Sequence, residues 1–371
     1  MPSSTFSSER LPSSPLLASL QSAFLLFLLV VLALELGLAM RGIRPNQEDS
    51  ESLWLHERAR ADALGSRALV MIGGSRILLD TDLTEMKRLA PDLEPVQLAI
   101  DGVSFLPILR GLAQDPHFHG RLIIDFNDYL IDGSRHHTPD SIAVNWEHDF
   151  EEDRTHPWPH FLGMEDRLQD LVRSHLRAYA DGSRPWSALT RRLLARYPVA
   201  QYLWVLPNRS IDADYQRLQQ PQAYLTRVGS TLHVEINYSR NLPWPILMRA
   251  LAGYIARLPI HANTAYLHNV TRLNDEIRAI QQRGGWVAII VSPTSGLIRD
   301  YLEEQNPRPS FWDQLVSRVQ APTLRVDDIA LRAGFLCPDG SHLDRRDKSA
   351  YTDLLMQQLD NAGLEAPTPR H

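Results

Sequence analysis

Five short stretches of the chain are largely apolar at their centres and bounded by Gly, Asp or Ser: 67–74 (RALVMIGG), 95–101 (PVQLAID), 120–126 (GRLIIDF), 286–292 (WVAIIVS) and 322–328 (PTLRVDD). Apolar residues at successive rather than alternate positions mark strands covered on both faces. Segments with helical spacing lie between them, at 84–89, 105–113, 270–282, 310–319 and 345–359. Such alternation predicts an α/β/α three-layer fold built on a five-stranded parallel sheet. Ligands of such sheets gather at the carboxyl ends of the strands, so the residues just after each strand are the ones to inspect.

Two regions do not fit the alternation. Leu16 to Met40 is apolar on every face and carries no charge before Glu35. At about 1.5 Å per helical residue, the uncharged part alone approaches the roughly 30 Å of a bilayer core. The pattern predicts one transmembrane anchor, with a cleaved signal peptide as the rival reading, since Gly37-Leu38-Ala39 fits a small-x-small cleavage site. Arg10 lies on one side of this run and Arg41 and Arg44 on the other, so positive charge does not fix its orientation.

The second region separates the third strand from the fourth and is far longer than a crossover requires. Its start is polar and rich in His, Pro and acids, like a lid. The remainder has helical periodicity and is expected to form a helical subdomain over the sheet. The predicted map is a disordered N-terminus (1–15), an anchor (16–40), a juxtamembrane linker and helix (41–65), a first part of the sheet domain (66–131), a helical insertion or lid (132–283), a second part of the sheet domain (284–362) and a tail (363–371). The sheet is expected to have flavodoxin-like order.

Composition narrows the function classes. Against 38 Lys and Arg stand 44 Asp and Glu, a net charge of -6, and no long basic run occurs. This argues against a general nucleic-acid binder, which needs a basic surface to neutralise phosphate. Cys337 is the sole cysteine, so neither an internal disulfide nor a thiolate cluster is available. His117, His119, His136, His137, His148, His156 and His160, with neighbouring acids, match no defined ligand spacing and read as a solvated lid. The reading calls for no metal and no cofactor.

The predicted strand ends carry the chemistry. The first runs into Gly73-Gly74-Ser75-Arg76, which would expose a serine hydroxyl with its backbone N–H free. The second is followed by Gly102 and the third by Asn127-Asp128, both suited to donating an N–H. Near the C-terminus, Asp339 precedes His342 by three residues on a turn, so that one carboxylate can hold the imidazole while its other nitrogen faces a nucleophile. Thr294, Ser295 and Arg299 follow the fourth strand and should border the cleft, as substrate contacts or as a helix cap. Arg76 adjoins the serine and is a further candidate substrate contact.

Taken in order, these blocks resemble the SGNH (GDSL-like) hydrolase superfamily, over about 66–131 and 284–360. The resemblance implies Ser75 as nucleophile, His342 as base, Asp339 as its orienting carboxylate, and the Ser75 N–H, Gly102 N–H and Asn127 side chain as oxyanion hole. Two positions depart from the family pattern: Gly74 stands where Asp is usual, and Asp125 where the third block has Gly. The single anchor and large insertion are similar to the membrane-anchored proteins of alginate O-acetylation and teichoic-acid D-alanylation. That likeness implies an extracytoplasmic glycan acceptor and a multi-spanning O-acyltransferase as partner. Transfer to a glycan and hydrolysis share their first half-reaction, so both stay open. The other class of function is a tethered glycan-binding or assembly factor with a vestigial triad.

Overall fold

Sheet order is set by the parallel pairing of five strands, β2-β1-β3-β6-β7, in the computed structural model, which describes residues 15–127, 131, 140–155, 168, 171–179, 201–218, 222–232, 244–257 and 264–364. The strands are β1 (Ala68–Ile72), β2 (Glu94–Gln97), β3 (Arg121–Asp125), β6 (Trp286–Ile290) and β7 (Thr323–Leu324); β4 (Leu203–Val205) and β5 (Ile211–Ala213) form a separate antiparallel pair. The fold is the expected α/β/α arrangement in flavodoxin-like order. Every residue of β1 is buried, as its unbroken apolar run requires.

The two sheet faces carry separate cores. On one, Val70, Ile72, Leu122 and Ile124 meet helices 51–64, 106–114 and 264–282 through Trp54, Leu109, Ile277 and Ile280. On the other, Leu69, Met71, Ile123 and Ile290 meet helices 75–80, 83–89 and 348–361 through Leu78, Met86, Tyr351 and Leu355. The order reverses between β1 and β3, and Ser75 follows β1 directly, beside that switch point.

The chain divides into two compact units, Met1–Gln47 with Leu171–Pro198, and Glu48–Asp170 with Val199–His371. In the first, helix Pro15–Met40 contains 24 residues long and apolar enough to cross a membrane; by length and composition it is either a span or a signal sequence. Its Glu35 accepts the backbone N–H groups of Arg177 and Ala178, at 2.9 Å each.

In the second unit the insertion is mostly helical among its described residues (140–155, 222–232, 244–255 and 264–282), with the β4–β5 pair in addition. It is more than a cover. Ile211, Ala213 and Tyr215 join the second core, and Ala143 and Phe150 join the first. Arg209, fully buried in the β4–β5 turn at φ 61°, pairs with Asp49 at 2.7 Å and donates to the carbonyls of Gln97, at the end of β2, and Ala99 beyond it.

The expected strand over 322–328 is cut to two residues, because the chain turns helical at Val326–Arg332. Asp327 and Asp328 occupy the first turn of that helix, where its dipole favours negative charge. Most of the expected N-terminus (1–15) and tail (363–371), together with His136, His137, His156, His160 and Asp128, lie outside the described residues.

Candidate active site

Ser75 begins helix 75–80 at the carboxyl end of β1 and is half-buried. The turn before it passes hard against β3: a Cβ on Gly73 would lie 2.7 Å from the Asp125 Cβ. Only glycine lets the two strand ends approach this closely. From the far end of the chain, the loop 337–343 brings Asp339 and His342 to the same place. Its turn needs Gly340, at φ 86°, where a Cβ would meet the Ile298 Cγ1 at 2.6 Å.

A continuous hydrogen-bond chain results. The Asp339 carboxylate accepts from His342 Nδ1 at 2.8 Å, and His342 Nε2 lies 2.8 Å from Ser75 Oγ. With the Nδ1 proton held by Asp339, the Nε2 lone pair faces the serine hydroxyl and can accept its proton. Asp339 also accepts the N–H groups of Ser341 (2.9 Å) and His342 (2.8 Å) and the Tyr215 hydroxyl (2.9 Å). Burial raises the Asp339 pKa, but the charge and hydrogen bond of His342 and the two N–H donors outweigh it, holding the carboxyl well below its ordinary range. Burial, with the Asp339 charge and hydrogen bond, pushes the Tyr215 phenol far up, so it remains a donor.

Further hydrogen bonds fix the loop, one of them on the serine's helix. The fully buried Asp80, at the end of helix 75–80, accepts the Leu343 N–H at 2.8 Å. Ser295 donates its N–H to the Gly340 carbonyl at 3.0 Å, and its hydroxyl donates to the Cys337 carbonyl and accepts the Cys337 N–H. Ser295, expected to touch substrate or cap a helix, is thus engaged in bracing the histidine loop; it caps helix 296–305 by backbone position only.

The other candidates are distributed around this centre. Gly102 lies at an exposed turn whose stem is tied to the serine turn by the Ile100 N–H on the Gly73 carbonyl, 3.3 Å. Arg76 is buried, and its Nε donates to Ser341 Oγ at 3.4 Å. Arg76, Asn127, Thr294 and Arg299 line one shared depression, also lined by Arg308, Arg325, Glu303 and Asp327. Among the described residues no hydrogen bond joins Asn127 to Ser75 or His342. Arg299 is held by Asp327, Asp328 and Glu303. Asp125, the departure from the family's Gly, is buried and accepts the Ser292 N–H at 3.0 Å; burial pushes its carboxyl up to about 6, against the nearby Arg76 charge.

Tyr215 and Arg227 belong to the insertion and have no signature in the sequence. Arg227, on helix 222–232, places Nη2 3.3 Å from His342 Nε2 and 3.5 Å from Ser341 Oγ. Of the lid histidines, His148 comes within ligand reach of Asp149 and Glu152, one helical turn on an exposed to half-exposed face. No known family model matches the chain, and no curated protein matches it.

Proposed function

We propose that this chain is a membrane-tethered serine acyltransferase or esterase of SGNH type, acting on an acyl ester, acetyl in the simplest case. What supports the reading most is the unbroken chain Asp339–His342–Ser75, with both hydrogen bonds at 2.8 Å and the half-buried serine at its end. Ser75 Oγ attacks the ester carbonyl as its proton passes to His342 Nε2, and Asp339 stabilises the resulting imidazolium. The N–H groups of Ser75 and Gly102 are suited to the oxyanion. Collapse releases the alcohol, which takes the Nε2 proton and leaves acyl-Ser75. A second alcohol, or water, then attacks with His342 again as base and restores Ser75.

The apolar N-terminal helix supports tethering as a span, with the catalytic unit on the outer face. There a glycan hydroxyl is the acceptor, and a multi-spanning O-acyltransferase supplies the acyl group. A fluorophosphonate probe and p-nitrophenyl acetate test the reading. The wild type is expected to be labelled and to release acetate, Ser75→Ala to do neither, and His342→Ala to lose about 1000-fold or more in rate. Labelling that persists in Ser75→Ala, or a wild type inert to both reagents, contradicts it.

A further inference from the structure

The Nε2 atom of a neutral imidazole has one lone pair. In this site two donors share it, the Ser75 hydroxyl at 2.8 Å and Arg227 Nη2 at 3.3 Å. Once Ser75 has given up its proton, Nε2 bears a hydrogen and a share of positive charge. Arg227 then has no acceptor there and faces a like charge at contact distance, so it must gain an anion or withdraw. Among the described residues its surroundings supply none. Arg299, Arg308 and Arg325 are ion-paired with Asp327, Asp328 and Glu303. Among the described residues no carboxylate lies within ion-pair distance of Arg227, whose polar contacts are His342 and the Ser341 hydroxyl. Arg76 approaches the same Ser341 hydroxyl at 3.4 Å, but its charge acts on the buried Asp125 and Asp80. Among the described residues the half-buried Arg227 is thus a cation open to a ligand.

Its position also indicates which part of the substrate brings the anion. In acyl transfer through a serine, the alcohol oxygen that leaves or attacks exchanges its proton with Nε2. A guanidinium 3.3 Å from Nε2 therefore meets the alcohol portion, and the acyl group lies on the other side of the reacting carbonyl. We infer that Arg227 is a specificity-determining residue that selects alcohols bearing a carboxylate or phosphate next to the reacting hydroxyl, and that it leaves the His342 imidazole when such a group arrives. This deepens the proposed function and rests on Ser75 being the nucleophile. Arg227 forms and breaks no covalent bond: the ester and Ser75 still give acyl-Ser75 and the free alcohol.

The test uses the full chain in detergent with three acetyl esters: methyl 3-acetoxybenzoate (neutral), 3-acetoxybenzoate (a carboxylate) and 3-acetoxyphenyl phosphate. For each variant the quantity read is kcat/KM for the charged ester relative to the neutral one. Arg227→Gln, still labelled at Ser75 by fluorophosphonate, is expected to lower that ratio about tenfold to a hundredfold, the worth of a charge-assisted hydrogen bond. Arg227→Lys is expected to restore most of it. The stronger of the two charged esters tells carboxylate from phosphate recognition.

In the wild type itself, 3-hydroxybenzoate is expected to inhibit turnover of the neutral ester at lower concentration than 3-hydroxybenzamide does. That comparison needs no variant to fold. A ratio unchanged in Arg227→Gln, or equal inhibition by the two phenols, overturns the inference while Ser75 labelling leaves the serine reading intact. A wild type unlabelled at Ser75 overturns both.

Discussion

The candidate site has two halves of different origin. Ser75, Gly102, Asp339 and His342 come from loops at the sheet's carboxyl edge, whereas Tyr215 and Arg227 reach the same centre from the insertion, at 2.9 Å from Asp339 and 3.3 Å from His342. The sheet half is assembled by short local segments: the end of β1 and the Gly73 turn place Ser75, and the Gly340 turn, after helix 326–332, places Asp339 and His342. The insertion half is assembled by packing and by hydrogen bonds between distant segments: Tyr215 is buried in the core that also holds Met71 and Leu355, and its N–H donates to the Asp344 carboxylate at 2.8 Å. The sheet edge is therefore suited to supplying reactive groups and the insertion to adjusting and selecting around them. Variants in each half can break that division of labour.

The largest expected effect lies in the sheet half. Asp339→Asn keeps the shape of the carboxyl but turns an acceptor into a donor, favouring the wrong imidazole tautomer. Esterolysis at Ser75 is expected to fall about 10,000-fold with little change in KM. A loss below tenfold would mean that the Asp339 carboxylate does not set the imidazole tautomer.

Next comes Glu147, on insertion helix 140–155, which asks whether the insertion is also a structural element. Its carboxyl is buried with neither oxygen hydrogen-bonded, 3.7 Å from the Arg58 guanidinium and in contact range of Gly111, where a Cβ would not fit. Burial raises its pKa from the ordinary 4.5 to about 8; Arg58 opposes this, and Glu151, Asp62 and Asp115 reinforce it. A folded pKa above the unfolded one means that the folded state holds the proton longer. Glu147's contribution is thus fully present below about 4.5 and is lost as pH rises through about 8. Glu147→Gln removes that loss, and is expected to gain about 2 to 4 kcal/mol relative to wild type between pH 5 and pH 8.5 in denaturant titrations. Parallel stability–pH curves would show that the helix is not packed as described.

The smallest effect belongs to Tyr215→Phe, which deletes one hydrogen bond to an ionised carboxylate that keeps its three other donors. A loss of about tenfold in kcat is expected, with KM nearly constant. A loss as large as that of Asp339→Asn would place the insertion among the reactive groups and erase the distinction between the halves.

The same division explains what was legible in the sequence. Strand cores are apolar because both faces are covered, so β1, β3 and β6 stand where the pattern expects them, and Ser75, Gly102 and His342 follow from the ends of local segments. The pattern misled at 322–328, where an apolar Val326 hid the start of a helix that Asp327 and Asp328 favour. Ser295 reads as a substrate contact or a helix cap because it opens a helix in a loop after a strand, and nothing local reveals that its hydroxyl braces Cys337. Tyr215 and Arg227 lie more than 100 positions from their partners, in segments where a buried Tyr or a lone Arg has no distinguishing neighbour.

The central claim is that Ser75 becomes covalently acylated with His342 as base. Brief reaction of the full chain with p-nitrophenyl acetate, quenching in acid and peptide mapping by mass spectrometry tests it most directly. An acetyl group on the peptide carrying Ser75, absent in Ser75→Ala and strongly reduced in His342→Ala, is the predicted result. Acetate release without any adduct at Ser75, or an adduct at another residue that persists in both variants, would contradict the account.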